Sequence, residues 1–262
     1  MMTIGGTAHI LMLVATIIII GLLMFIVSKV NYKVQCIMIH SAVLICMVGI
    51  LFLHLTRYGK TLDFKNFFEQ MFQVCNFNFI LLPLCLIRKN ELGRQYLFYF
   101  SMFAAASTFV AYPSDVSHSM WYSVVTLNFW IDHMMVVAVT LMMVSAKWLK
   151  PKKEYIIKVL LCIVAYFFVA FIANLAFNGW KIDDSHNHSY TMNDGDIMAL
   201  APFYKLIPVP FVYLLPIMPI LGGLFYLMSL CFTKYKVNDI TKFQKNKTIS
   251  ENNKNEENIC FI

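Results

Sequence analysis

A chain of 262 residues that is 60% hydrophobic and only 13% charged is excluded from the soluble enzymes, the disordered proteins and the nucleic-acid binders. Its formal charge of +7 comes largely from lysines at helix ends and in the tail, where they set membrane orientation and meet anionic headgroups. At about 20 apolar residues per span, the length holds one helical bundle with short loops and no large soluble domain.

The first apolar run covers residues 9–30 and carries its lysines, Lys29 and Lys33, at and after its end. A secretory leader has the opposite flanks, so this run predicts an uncleaved helix with the N-terminus outside. Six more runs follow at 34–55, 66–87, 95–112, 120–144, 155–177 and 206–232. Each is long enough to cross about 30 Å of hydrocarbon. The predicted fold class is all-α: a polytopic membrane helical bundle with seven transmembrane helices, N-terminus outside and C-terminus cytoplasmic. With that orientation, fifteen Lys and Arg residues fall on inner segments and four on outer ones. The 57–65 loop, with Arg57, Lys60 and Lys65, runs against the bias. The last run contains Pro208, Pro210, Pro216 and Pro219, which predicts a short lead-in segment followed by a bent helix. Residues 1–233 form the membrane domain on this reading. Residues 234–262, rich in Lys, Asn and Glu, form a disordered cytoplasmic tail.

Seven cysteines show neither a CxxC pair nor the Cys/His spacing of a zinc site. Cys36, Cys46, Cys162 and Cys231 sit in apolar runs as small hydrophobes, and no disulfide framework is expected. The outer loop Asp183-Asp184-Ser185-His186-Asn187-His188 has an H-x-H spacing, but that alone reads better as a solvated loop than as a metal site. No metal and no cofactor are expected.

Polar side chains at membrane depth cost free energy and therefore face a bundle interior or a cavity. Two runs hold most of them. The third carries Glu69, Gln70, Gln73, Cys75, Asn76 and Asn78, and the fifth carries Ser123, Thr126, Asn128, Asp132 and His133. The sixth adds Asn174 and Asn178. On a regular helix His133 shares a stripe with Thr126 and Thr140, and Asn128 and Asp132 share the next. Glu69, Gln73 and Asn76 share a face of the third helix, with Cys75 about 100° from Asn76. Counted from the outer ends of their helices, Cys75 lies about 14 Å deep and His133 about 20 Å. Each of these groups also has a structural reading: a small apolar thiol, an interhelical hydrogen bond, a buried neutral acid, or amide glue between helices.

Gln73-Val74-Cys75-Asn76-Phe77-Asn78, Phe100-Ser101-Met102-Phe103-Ala104-Ala105-Ala106, Tyr112-Pro113, Asn128-Phe129-Trp130-Ile131-Asp132-His133 and the later Asn174 occur in this order. Together they resemble the YwaF-type bacterial integral membrane proteins, which are related to the animal transmembrane protein 164 family of lipid acyltransferases. The resemblance covers about residues 10–232. It implies a nucleophile at Cys75 and a base at His133, with acyl transfer between phospholipids through a thioester. A buried thiol needs such a base beside it. Asn76, Asn78 or Asn128 would supply donors to the oxyanion, and Asp132, Gln73 and Asn174 would support the site. The chain departs from the bacterial pattern in carrying Met71 and Gln73 before the cysteine, and from the animal one in carrying Asn76 after it. The expected partners are membrane lipids in the cell membrane, with no nucleic acid.

Two other functions fit the residues alone. Asp132, His133 and the amides could line the path of a small-solute transporter or channel. Seven spans could also make a non-enzymatic, receptor-like or scaffold protein.

Overall fold

The computed structural model describes residues 5–57, 64–86, 90–110, 120–182, 186–195 and 200–232. The tail from 234, the Tyr112-Pro113 pair and Asp183 to Ser185 lie outside the described residues. Every regular element among those described is helical. We label them α1 (Thr7–Lys29), α2 (Tyr32–Arg57), α3 (Phe64–Gln70), α4 (Val74–Leu86), α5 (Glu91–Tyr96), α6 (Met102–Ser107), α7 (Val124–Ser145), α8 (Ile156–Phe177), α9 (Ala201–Leu206) and α10 (Ile217–Cys231).

Among the described residues, five stretches are long and apolar enough to cross a membrane: Thr7–Lys29, Tyr32–Phe52, Thr126–Ser145, Lys153–Phe177 and Val212–Cys231. Their outer faces are apolar. Ile17, Ile157 and Leu161 are each more than 60% exposed, an arrangement that only a hydrocarbon solvent favours over water. Helix α7 is the axis of the bundle. Two thirds of its apolar window is buried (67%), against 17–33% for the other four. It packs on α1, α2 and α6.

The third and fourth apolar runs depart from the continuous helices predicted for them. The third is broken into α3 and α4 by the turn Met71–Phe72–Gln73. There the amides of Met71, Phe72 and Gln73 bond back three residues, to Phe68, Glu69 and Gln70, tightening the chain out of the α-helix. The shared face expected for Glu69, Gln73 and Asn76 is lost with the break. The fourth run starts earlier, at Glu91, and passes through a π-helical turn at Leu97–Ser101 between α5 and α6. In the last run the prolines act as read from the sequence. A short α9 and an irregular stretch precede α10, whose first turn holds Pro219 where the amide has no helical partner anyway.

Specific polar ties fix how the helices meet. Trp130 Nε1 on α7 donates to Thr16 Oγ1 on α1 at 2.7 Å. The buried Arg94 spans two carbonyls, with Nε to Cys85 O at 2.9 Å and Nη1 to Trp148 O at 3.2 Å. Gln95 donates to Lys150 O and accepts from the Lys152 amide. Among the described residues Cys46, Cys75, Cys85, Cys162 and Cys231 are free thiols.

Candidate active site

The closest approach of α2 to α7 starts at a glycine. Gly49 presents its bare backbone to Asp132, and a Cβ built there would overlap the carboxylate. The room so made lets Asn128 Nδ2 donate to Gly49 O at 2.8 Å and to Asp132 Oδ2 at 3.1 Å. The Cys46 thiol donates to the Asp132 carbonyl at 3.8 Å. One carboxylate oxygen of Asp132, Oδ2, is therefore held by Asn128 on its own helix, and α2 is tied to this turn through Gly49 O and Cys46. The other, Oδ1, is buried and has no hydrogen-bond partner.

His133, the next residue, is fixed by its own helix. Its Nδ1 lies 2.6 Å from the Phe129 carbonyl one turn earlier. A carbonyl only accepts, so Nδ1 carries the hydrogen and Nε2 presents a lone pair. That Nε2 is buried and without a partner. The Phe129 ring lies 4.2 Å from the imidazole, centroid to centroid, and limits its rotation.

Cys75 is the second residue of α4, immediately after the break. Within the described residues the amides of Val74, Cys75 and Asn76 have no helical acceptor, and the first turn closes with Phe77 N to Gln73 O at 3.0 Å. These are the free donors of a helix N-terminus, beside the Cys75 thiol. The break is held open by contacts from far along the chain. Tyr166 Oη donates to Phe72 O at 2.7 Å, and Ser189 Oγ donates to the same carbonyl. The Ser189 amide donates to Gln73 Oε1 at 2.8 Å. Asn76 Nδ2 satisfies Gln70 O at 3.1 Å, and Asn78 Nδ2 satisfies Cys75 O at 3.0 Å.

Ile50, Cys75, Asn76, Asn78, Asp132, His133 and Val136 line one small cavity of about 10 Å³, the least space that holds one water-sized group. Asp132, His133 and Asn78 are buried around it, while Cys75 is partly exposed. Five of the eight residues singled out from the sequence thus meet at one cavity. Asn128 stands behind Asp132. Gln73 holds the 186–195 loop. Asn174 lies elsewhere: it accepts from the His188 amide at 3.0 Å and donates to His188 O and Thr191 Oγ1. It shapes the loop that caps the break. Thr126 and Thr140 are satisfied locally, by Ser123 Oγ and to Val136 O, and take no part.

Sequence reasoning missed four groups: Gly49, Tyr166, Ser189 and the backbone donors of α4. Gly49 alone left a signal, a lone glycine inside an apolar run. In the outer loop, His186 Nδ1 donates to Asn178 Oδ1 and its Nε2 is 3.7 Å from Glu69 Oε2. Among the described residues no three His, Cys, Asp or Glu side chains gather as a metal site.

Long apolar helices packed around buried polar side chains define a multi-pass membrane protein. The chain belongs to the TMEM164 family, whose model it matches over residues 4–229. No curated protein and no solved structure matches it.

Proposed function

We propose that the protein is a thiol-dependent lipid acyltransferase of the cell membrane, with Cys75 as nucleophile and His133 as base. The observation that supports this reading is one cavity lined by both a thiol at a helix N-terminus and an imidazole whose open nitrogen is the basic one. In the first step Cys75 Sγ attacks the carbonyl carbon of a phospholipid ester, and its proton passes to His133 Nε2. The amides of Cys75 and Asn76 are placed to receive the oxyanion, because a helix start aims its free N–H groups outward along the axis. They are better suited to it than the side-chain amides of Asn76, Asn78 and Asn128, each of which already donates to a backbone carbonyl. Collapse of the intermediate expels the lysolipid alkoxide, which takes the proton from His133 and leaves an acyl thioester. The acyl chain itself is far larger than the cavity. It lies on the exposed side of Cys75, in the hydrocarbon of the bilayer.

In this reading the seven apolar runs all span, the broken third one included, with the N-terminus outside as the lysine distribution favours. The site then opens in the outer half of the membrane, under the 186–195 loop.

The test is acylation by a clickable phosphatidylcholine in vesicles holding the purified protein. Wild type should acquire a hydroxylamine-labile label. Cys75→Ala should lose it entirely, and His133→Ala should form it about 100-fold more slowly. A label that survives in Cys75→Ala, or that never forms in wild type, overturns the reading.

A further inference from the structure

Two carbonyls in the break between α3 and α4 are taken by groups that a continuous helix would displace. In such a helix Gln70 O would accept from the Val74 amide, Met71 O from Cys75 and Phe72 O from Asn76. Here Gln70 O takes the Gln73 amide at 3.0 Å and Asn76 Nδ2 at 3.1 Å. Phe72 O takes the hydroxyls of Tyr166 and Ser189, which use both its lone pairs. The residues of the break do not themselves ask for it. Met71 and Gln73 are good helix formers, Phe72 is an ordinary one, and no glycine or proline is present. Joined into one helix, residues 64–86 would measure about 34 Å, a full crossing of about 30 Å of hydrocarbon. Glu69, Gln73 and Asn76 would then share a face, as their spacing in the sequence has it.

The contacts that oppose joining come from α8 and the 186–195 loop. Ser189 supplies two of them, its hydroxyl to Phe72 O and its amide to Gln73 Oε1 at 2.8 Å. Ser189 and Tyr190 are both left-handed, with φ of 55° and 58°. That conformation costs a non-glycine residue free energy and persists only under outside restraint. The restraint is present. Asn174 brackets His188, Tyr213 Oη donates to the Tyr190 and Asn193 carbonyls, and Asn187 Oδ1 accepts from the Met192 amide. We propose that residues 64–86 form a two-state helix and that the 186–195 loop is its latch. With the latch seated, the run is broken at 71–73 and the amides of Val74, Cys75 and Asn76 are free. With the latch lifted, the Asn76 amide replaces the two hydroxyls on Phe72 O and the Val74 amide replaces that of Gln73 on Gln70 O. Helices α3 and α4 then join, and the free amides close into the helical ladder. Relief of the strain at Ser189 and Tyr190 offsets part of what the lost contacts cost. The functional consequence rests on the acyltransferase reading above: the joined state has no oxyanion donors and is the resting form of the enzyme.

Tyr166→Phe with Ser189→Ala removes both hydroxyls from Phe72 O and keeps the ring and the backbone. Val74→Pro acts the other way. Val74 is the first residue of α4, where proline suits a helix start, but in a joined helix it is interior, where proline is excluded. Amide hydrogen exchange of Cys75 and Asn76 would be read by mass spectrometry on the full chain in lipid nanodiscs, beside acylation from clickable phosphatidylcholine. In the hydroxyl variant these amides should exchange about tenfold or more slowly than in wild type, the shift expected for two lost hydrogen bonds, and acylation should fall by a similar factor. Simple loosening of the site would make exchange faster. Adding Val74→Pro should return both readings to within about twofold of wild type. Should the double hydroxyl variant fail to fold, Ser189→Ala alone is read in the same way. Exchange that is unchanged or faster without the hydroxyls, or slow exchange that proline leaves in place, overturns the latch and leaves the acyltransferase reading standing. Exchange that follows the latch in a protein that is never acylated upholds the two-state helix and removes the enzyme.

Discussion

Gly49 and Gly21 both sit inside long membrane helices, yet alanine should act on them with opposite sign. At Gly21 a new Cβ meets nothing within 4 Å. The only effect is the gain in helix propensity, about 1 kcal/mol. At Gly49 the same gain is opposed by overlap with the Asp132 carboxylate. Asp132 cannot swing aside freely, because Asn128 holds it at 3.1 Å while also holding Gly49 O at 2.8 Å. Displacing the carboxylate forfeits a hydrogen bond to an ionisable group, about 1.5–3 kcal/mol. Net of the helix gain, Gly49→Ala should lose about 0.5–2 kcal/mol. For a domain of this size each kcal/mol moves Tm by about 2–4 °C. Tryptophan fluorescence during heating in detergent should show Gly21→Ala melting a few degrees above wild type and Gly49→Ala a few degrees below. Adding Asp132→Ala removes the obstructing group, so the double variant should be more stable than the sum of the single changes predicts. If Gly49→Ala melts with Gly21→Ala and keeps full acylation, the close approach of α2 to α7 is not what the glycine serves.

Two further outcomes follow from groups at the ends of the helices. Burial and the neighbouring His186 lower His188 to about 4 from 6.5. The unfolded chain then takes up a proton below about pH 6.5 while the native loop does not. Stability should be complete above that pH and fall progressively toward pH 4, and His188→Gln should flatten the fall in melts at stepped pH. Arg94→Met leaves the carbonyls of Cys85 and Trp148 without their donor and should cost about 2–4 kcal/mol. Arg94→Lys should not restore it, since an ammonium lacks the planar fork that spans both. Equal melting of the lysine variant and wild type would refute the role given to the fork.

The sequence made the bundle legible and the site half legible, for separable reasons. Apolar runs and their lysine punctuation report burial in hydrocarbon directly, so the long helices fell close to their predicted bounds. Asn128 and Asp132 pair as a four-residue spacing on one helix requires. The break before Cys75 was not legible because no glycine or proline marks it. Its carbonyls are satisfied by Tyr166 and Ser189, 94 and 117 residues away, and nothing local announces such partners. The same long-range contacts explain Gln73 and Asn174. Polarity at depth and the family resemblance give both only as supporting residues, without saying what they hold. Both are anchors of the 186–195 loop.

The two groups proposed to react are positioned by different kinds of structure, and this bears on how such a site can exist in lipid. His133 depends on a bond to its own helix, one turn away, so it is as well placed as α7 itself. Cys75 stands where a helix begins inside an apolar run, and a helix start exposes amides that hydrocarbon cannot satisfy. The freed carbonyls find partners in Asn76, Tyr166 and Ser189. The freed amides have no helical partner, and they are the groups a tetrahedral oxyanion requires. An unbroken third helix would have hidden those donors in its own ladder and left the thiol an ordinary small hydrophobe. On the proposed reading the 186–195 loop therefore belongs to the site as much as the cysteine does, because it holds open the break beside which the thiol stands.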